Sequence, residues 1–182
     1  MTMPGQNTQD ASRSDAERTK RQSELFTPVS LRTDGVRLFQ HSNLKMRLRW
    51  RLGDLQALLD RDSFWAKGRR LRDLRKMLSG SQAVVSAWHG SDLVGFGRAT
   101  SDGVYRAVLW DVVVAAEHQG NGLGTEIVAT LLRHRLIASA ERVYLMTTNS
   151  SGFYSKLKFH EHHGQKLMIL EPYQHMADTS KQ

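Results

Sequence analysis

The order of apolar segments predicts an α/β (α+β) fold, and three stretches carry that prediction. Residues 108–136, VLWDVVVAAEHQGNGLGTEIVATLLRHRL, run from an apolar strand through a glycine turn into an amphipathic helix. Residues 82–88 and 93–100 read as two strands joined by a glycine turn at His89-Gly90-Ser91-Asp92. From Leu44 to Leu52 the pattern alternates without a break. Leu44, Met46, Leu48, Trp50 and Leu52 occupy one face and Lys45, Arg47, Arg49 and Arg51 the other, as in a half-buried strand.

Taken in order, residues 1–25 are polar and charged and read as a disordered tail, residues 26–175 as one folded domain, and 176–182 as a C-terminal tail. Val36 to Phe39, after Asp34-Gly35, form a short strand ahead of the alternating one. A helix then starts at Gly53-Asp54 and carries Leu55, Leu58 and Leu59. A second, after Gly68, presents Leu71, Leu74, Met77 and Leu78. Phe64 and Trp65 lie in the link between them and are expected to pack between the helices, with stacking on an aromatic amine as the alternative. The turn Ser101-Asp102-Gly103 leads into the central strand. There Val108, Leu109, Trp110, Val112, Val113 and Val114 suit burial on both faces, and Asp111 is the one interruption. Leu123, Ile127 and Leu131 form the stripe of the next helix. A strand at Arg142 to Thr147, a short helix around Tyr154, and strands at His160 and at Leu167 to Leu170 complete the expected order. No internal repeat of the kind that builds solenoids is visible.

Composition narrows the function. At 182 residues the chain can bury a substantial core, and the absence of cysteine excludes disulfide scaffolds, thiolate metal sites and a cysteine nucleophile. No apolar run approaches the roughly 20 residues of a membrane span, and the N-terminal stretch lacks the apolar core of a signal peptide, so a cytoplasmic location is expected. The net charge of +8 and pI near 10.1 gather at Arg47, Arg49 and Arg51 and again from Lys67 to Lys76. This basic excess reads as a solvated face or as steering for a phosphorylated ligand. No zinc-finger, RNA-recognition or basic-zipper pattern accompanies it, so nucleic acid is not an expected partner. Of His160, His162 and His163, residues 160 and 162 would point to the same side of a strand, but two imidazoles without a third ligand read as surface residues, and no metal is expected.

The glycines of Gln119, Gly120, Asn121, Gly122, Leu123 and Gly124 sit where a helix begins, a place where free N–H groups and the helix dipole favour an anion such as a pyrophosphate. The spacing is not the G-x-G-x-x-G of a dinucleotide fold, and no Walker lysine follows, since Gly124 is succeeded by Thr125 and Glu126. It is Q-x-x-G-x-G, and with this motif the sequence resembles the GCN5-related N-acetyltransferase (GNAT) superfamily. A second motif, Asn149 to Phe159 (NSSGFYSKLKF), is similar to the N…FYxxLGF segment of that family, with Lys158 where the family usually has glycine. Ala115-Ala116 likewise stand where Asp-Pro often ends the preceding strand. The likeness covers residues 35 to 172 and is strongest to plant plastid and cyanobacterial members of the serotonin (arylalkylamine) type.

The resemblance implies a mixed, mostly antiparallel sheet with helices on both faces, splayed to admit acetyl-CoA, with the first two helices forming one wall of the acceptor site. It implies acetyl-CoA as cosubstrate, held by Val112, Val113, Val114, Gln119, Gly120, Asn121, Gly122, Leu123, Gly124, Asn149 and Tyr154. The activity it implies is transfer of acetyl to a primary amine, a small arylalkylamine such as serotonin ahead of a protein lysine or N-terminus. The alternative from another class is a non-catalytic acetyl-CoA or nucleic-acid binding module. Self-association into a homodimer is left open.

Acetyl transfer needs a neutral amine, a stabilised oxyanion and a protonated leaving thiolate. The resemblance makes Tyr154 the acid for the thiolate. Asp111 is the candidate base, directly or through water, because an acid in an apolar strand is costly to bury without a role. Its other reading is that it satisfies neighbouring backbone or an arginine. A backbone N–H at Val113 or Val114 is expected to hold the thioester oxygen.

Overall fold

The computed structural model describes residues 30–31, 34–41 and 52–170. The chain divides into two compact units, residues 1–146 and 147–182. The first contains a six-stranded sheet whose spatial order follows the chain: β1 (Ser30–Leu31), β2 (Val36–Gln40), β3 (Ala83–His89), β4 (Asp92–Ser101), β5 (Arg106–Val114) and β6 (Arg142–Tyr144). β1 to β5 pair antiparallel in succession and β6 runs parallel to β5, which makes the sheet mixed and mostly antiparallel as expected. Among the described residues two helices, α1 (Leu52–Asp62) and α2 (Leu71–Ser79), lie between β2 and β3. α3 (Leu123–Arg133) and the one-turn α4 (Arg135–Ala138) lie between β5 and β6, and α5 (Ser151–Lys156) belongs to the second unit.

Local chemistry accounts for these elements. β3 stops at His89 and β4 starts at Asp92, leaving the two-residue turn Gly90-Ser91 with Gly90 at φ 60°, the positive value that matches hairpin twist. Asp102 accepts from the N–H groups of Val104, Tyr105 and Arg106 at 2.7–3.0 Å and so fixes the entry to β5. In α1, Leu52, Leu55, Leu58 and Leu59 are buried, one helical stripe. In α2 only Leu74 and Leu78 are buried, while Leu71 is exposed.

The two faces of the sheet are told apart by β4. A Cβ added at Gly95 would come within 2.8 Å of Ile127, and one at Gly97 within 2.7 Å of Ile127 and 3.1 Å of Leu131. These glycines therefore let α3 lie directly on the sheet, and the residues alternating with them, Phe96, Arg98 and Thr100, face the other way. That second face meets the α1–α2 link, because Arg69 of the link and Arg98 of β4 share one carboxylate. Helices thus cover both faces.

Four expectations are corrected. Leu52 opens α1 rather than closing a strand, and Leu44 to Arg51 lie outside the described residues, as do residues 1–25 and 176–182. The strand expected over Arg142 to Thr147 ends at Tyr144, where its partner residue on β5 is Val108. No strand forms at His160 or at Leu167 to Leu170, and the latter four side chains are exposed. Among the described residues of the second unit no other strand offers a ladder, and an isolated extended segment leaves its N–H and C=O groups to water. Finally, β5 is not buried on both faces throughout. Ala107, Leu109 and Val113 are buried, but Val108 and Trp110, which alternate with Ala107 and Leu109 and so point to the opposite face, are half-buried, as are Val112 and Val114.

Candidate active site

The glycine turn behaves as its sequence requires. Gly120 and Gly122 adopt φ of 79° and 81°, a left-handed backbone that favours glycine, and Gly122 is the N-cap of α3 with no side chain capping the helix. The first intrahelical bond runs from the Glu126 N–H to the Gly122 carbonyl at 3.1 Å. The N–H groups of Leu123, Gly124 and Thr125 precede it and point out of the helix end with its positive dipole, a set of donors suited to a pyrophosphate. Leu123 is buried and anchors the turn, while Gly120, Asn121 and Gly122 are exposed. Upstream, the Ala116 N–H donates to Asp62 Oδ1 at 3.3 Å, which ties the end of α1 to the segment leading into the glycine turn.

β5 supplies the second part. Beyond Val108 no strand pairs with its far edge among the described residues, so the strand and β6 part company there, as a sheet splayed for a ligand requires. Ala115 donates to the Val94 carbonyl at 2.9 Å and Val113 pairs with Phe96. By the alternation of an antiparallel ladder, the Val113 N–H then faces β4 and the Val114 N–H faces the open edge. Of the two oxyanion candidates this favours Val114. Its carbonyl, on the same edge, accepts from Gln119 Nε2 at 2.9 Å. Val112 instead turns its side chain toward Gly97 and α3.

A bulge turns Asp111 out of register. Phe96 pairs with Val113 but Arg98 pairs with Trp110, so two residues of β5, Asp111 and Val112, stand opposite Gly97 alone. Asp111 takes a φ of 49° there. Its carboxylate is 5% exposed and both of its ion pairs fall on Oδ2, from Arg98 Nε at 2.7 Å and Arg69 at 3.1 Å. Burial pushes this carboxyl up. The hydrogen bond from Arg69, with the charge and hydrogen bond of Arg98, outweighs burial and holds it below the usual carboxylate range. A group so held is a poor proton acceptor near neutral pH, and the geometry supports the arginine-partner reading of Asp111 over the base. Arg98 also lies over the Trp110 ring, 5.5 Å from its centroid, and Trp110 donates to Thr100 at 2.8 Å.

Asn149 and Tyr154 belong to the second unit. Tyr154 lies in α5, packed edge-on between Phe153 at 4.8 Å and Phe159 at 5.9 Å. Phe159 N–H donates to the Tyr154 carbonyl and Lys158 N–H to the Ser155 carbonyl, the paired bonds of a Schellman cap, with the contact between Phe159 and Tyr154 as its apolar clasp. Lys158 is the residue at the left-handed position, φ 68°, a backbone that favours glycine, the residue the resemblance leads one to expect there. Burial pushes the Tyr154 phenol up, so it keeps its proton through neutral pH. Asn149 is exposed, 3.4 Å from the Ser150 hydroxyl.

Phe64 and Trp65 do not pack between the helices. They form an edge-to-face pair at 5.0 Å and are 63% and 48% exposed. Arg69, expected on a solvated basic face, reaches in to Asp111 while Gln56 holds its carbonyl at 2.8 Å. Sequence reading missed Arg98 altogether. An arginine within the apolar run of β4 was a signal of the same kind as Asp111 in β5, and together they form a pair. Among the described residues no group of three metal-ligating side chains occurs, and no helix is long and apolar enough to cross a membrane.

Comparison with known proteins accords with this geometry. The sequence profile of the Acetyltransferase (GNAT) family matches residues 52–164. An uncharacterized N-acetyltransferase, ycf52, of Pyropia yezoensis is 34% identical over 113 residues, 59% of this chain and 64% of that protein. Histone acetyltransferase TAP1 of Glycine max is 36% identical over 118 residues, 58% of this chain and 50% of that one. The chain thus spans about half to two thirds of the length of these relatives. A GNAT-family acetyltransferase structure from Xanthomonas campestris pv. campestris superposes with a TM-score of 0.63 at 24% identity, covering 74% of this chain and 92% of that one, a likeness of fold. The uncapped glycine turn, the bulged and half-open β5 and the matched profile lead to one conclusion: the chain belongs to the GNAT family of acetyltransferases, enzymes that use acetyl-CoA as acetyl donor.

Proposed function

We propose that the protein transfers acetyl from acetyl-CoA to the primary amine of a small aromatic acceptor, an arylalkylamine such as serotonin being the parent case. The observation that carries this reading is the exposed Phe64–Trp65 pair in the link that the resemblance assigns to the acceptor wall. Large apolar rings left in water are a ready surface for stacking a second aromatic group. Two Arabidopsis thaliana relatives are named chloroplastic.

In this reading the amine nitrogen attacks the thioester carbonyl carbon, the oxygen takes the electron pair, and the Val114 N–H stabilises it. Collapse breaks the C–S bond, Tyr154, the acid the resemblance implies, gives its proton to the thiolate, and the ammonium formed on the acceptor loses its proton to water, from which the Tyr154 phenolate is reprotonated. Tyr154 suits the acid role because burial keeps its phenol protonated. Asp111 is a positioning residue, holding Arg98 and the α1–α2 link at the bulge.

A protein amine is the second reading, favoured by the relative named histone acetyltransferase TAP1. Free-thiol release from acetyl-CoA, measured with serotonin, tryptamine, putrescine and lysine peptides, separates the two. The proposal expects the aromatic amines to lead in kcat/KM; activity confined to lysine peptides would overturn it.

A further inference from the structure

The cluster at the bulge is unbalanced in charge. Two guanidiniums, Arg69 and Arg98, meet one carboxylate, and both contacts fall on a single oxygen of Asp111. One positive charge is left over in a place where Asp111 is almost fully buried and Arg98 is 14% exposed. Only Nε of Arg98 is engaged by an acceptor among the described residues, so its two terminal amino groups keep their donors, with the guanidinium plane already fixed by Asp111 and the Trp110 ring. A planar, pre-oriented fork with unspent donors and a surplus charge is the arrangement that receives a carboxylate.

Its location decides whose carboxylate. Arg98, Trp110 and Asp111 lie on the sheet face opposite α3, and Arg69 brings to that face the same link, residues 63–70, that exposes Phe64 and Trp65. The uncapped end of α3, where phosphates are received, belongs to the other face. We infer that the Arg69–Arg98 pair is an anion-recognition site for the acceptor, which selects aromatic amines that also bear a carboxylate, such as an aromatic α-amino acid, over their decarboxylated counterparts. This rests on the proposed acetyl transfer to an aromatic amine and narrows its substrate class.

The test is a set of matched acceptors, tryptophan against tryptamine and phenylalanine against phenethylamine, with wild type and Arg69→Gln. Arg69 is partly exposed and its backbone carbonyl, which Gln56 holds, is unchanged by the substitution, so the variant folds; a thermal melt verifies this. In wild type the carboxylate-bearing member has the higher kcat/KM. In Arg69→Gln the ratio within each pair falls at least tenfold, the loss expected for one charge-assisted hydrogen bond. Turnover of tryptamine equal to or above that of tryptophan in wild type overturns the inference while leaving acetyl transfer intact. If no amine is turned over, calorimetric titration of the enzyme with CoA and each acceptor still decides. Tighter binding of tryptophan supports the anion site and removes the proposed reaction, and equal binding removes the site. A tenfold loss of acetyl-CoA affinity in Arg69→Gln would reassign the arginines to the phosphates of CoA and likewise overturn it.

Discussion

Replacing Gly97 by alanine probes how closely α3 must lie on the sheet. The added Cβ would stand 2.7 Å from Ile127 Cγ2 and 3.1 Å from Leu131 Cδ1, against about 3.5–4.0 Å for a comfortable carbon–carbon contact. The nearer contact is short by at least roughly 0.8 Å. Cγ2 sits on a β-branched carbon of a buried helix residue and cannot swing away, so α3 itself must retreat. Overpacking of this kind costs about 1–3 kcal/mol, which for a domain of this size lowers the melting temperature by roughly 2–12 °C. Because α3 begins at the glycine turn, its retreat also moves the phosphate donors, and acetyl-CoA affinity should fall with stability. Denaturant unfolding of Gly97→Ala, Ile127→Ala and the double variant is the assay. Ile127→Ala alone should destabilise by about 2–5 kcal/mol, and the double variant by clearly less than the sum, because the cavity receives the new methyl. Wild-type stability in Gly97→Ala, or strict additivity in the cycle, would refute the close-approach argument.

Three further outcomes follow from the site. Lys158→Gly relieves a left-handed backbone at the Schellman cap and should raise local stability by about 1 kcal/mol, seen as roughly fivefold slower hydrogen exchange of the Phe159 amide; unchanged exchange would show that the cap is unstrained. Asp111→Ala leaves two guanidiniums facing each other and should cost about 3 kcal/mol at pH 7. Since the folded carboxyl is held below its unfolded value of about 3.9, its contribution is complete above that pH and is lost as pH falls through the folded value. The gap between wild type and variant should therefore close in acid, and a gap that stays constant down to pH 2 would contradict the assignment. Tyr154→Phe keeps the ring that Phe153 and Phe159 clasp and deletes the acid, so kcat should drop by about 10²- to 10⁴-fold with acetyl-CoA affinity retained. A drop of two- or threefold in single-turnover kinetics would make Tyr154 a packing residue.

What the sequence made legible was whatever depends on local pattern. The glycine turn, the stripe of α3 and the hairpin at Gly90-Ser91 are fixed by backbone requirements and apolar spacing within a few residues, and each lies where the pattern places it. Residues that act across the sheet were not legible. Gly95 and Gly97 are small because of Ile127 and Leu131, some 30 residues away, and the roles of Arg98 and Arg69 exist only once the bulge turns Asp111 to their face. Leu167 to Leu170 fail for the converse reason: they have the side chains of a strand, but the ladder must come from another segment. Phe64 and Trp65 show that apolar character alone does not imply burial, since the link they occupy turns them to solvent.

If the uncapped start of α3 receives the phosphates of acetyl-CoA, calorimetric titration of acetyl-CoA into wild type and Gly124→Glu will separate the two proteins. Gly124 lies in the first turn of the helix, not at one of the left-handed glycines, and a glutamate there is favoured by the helix dipole; a thermal melt verifies the fold. The new side chain and its negative charge would stand among the donors themselves. Wild type should bind saturably and the variant should lose at least about tenfold in affinity, with its melting temperature unchanged or raised. Equal affinity in the two proteins would contradict it.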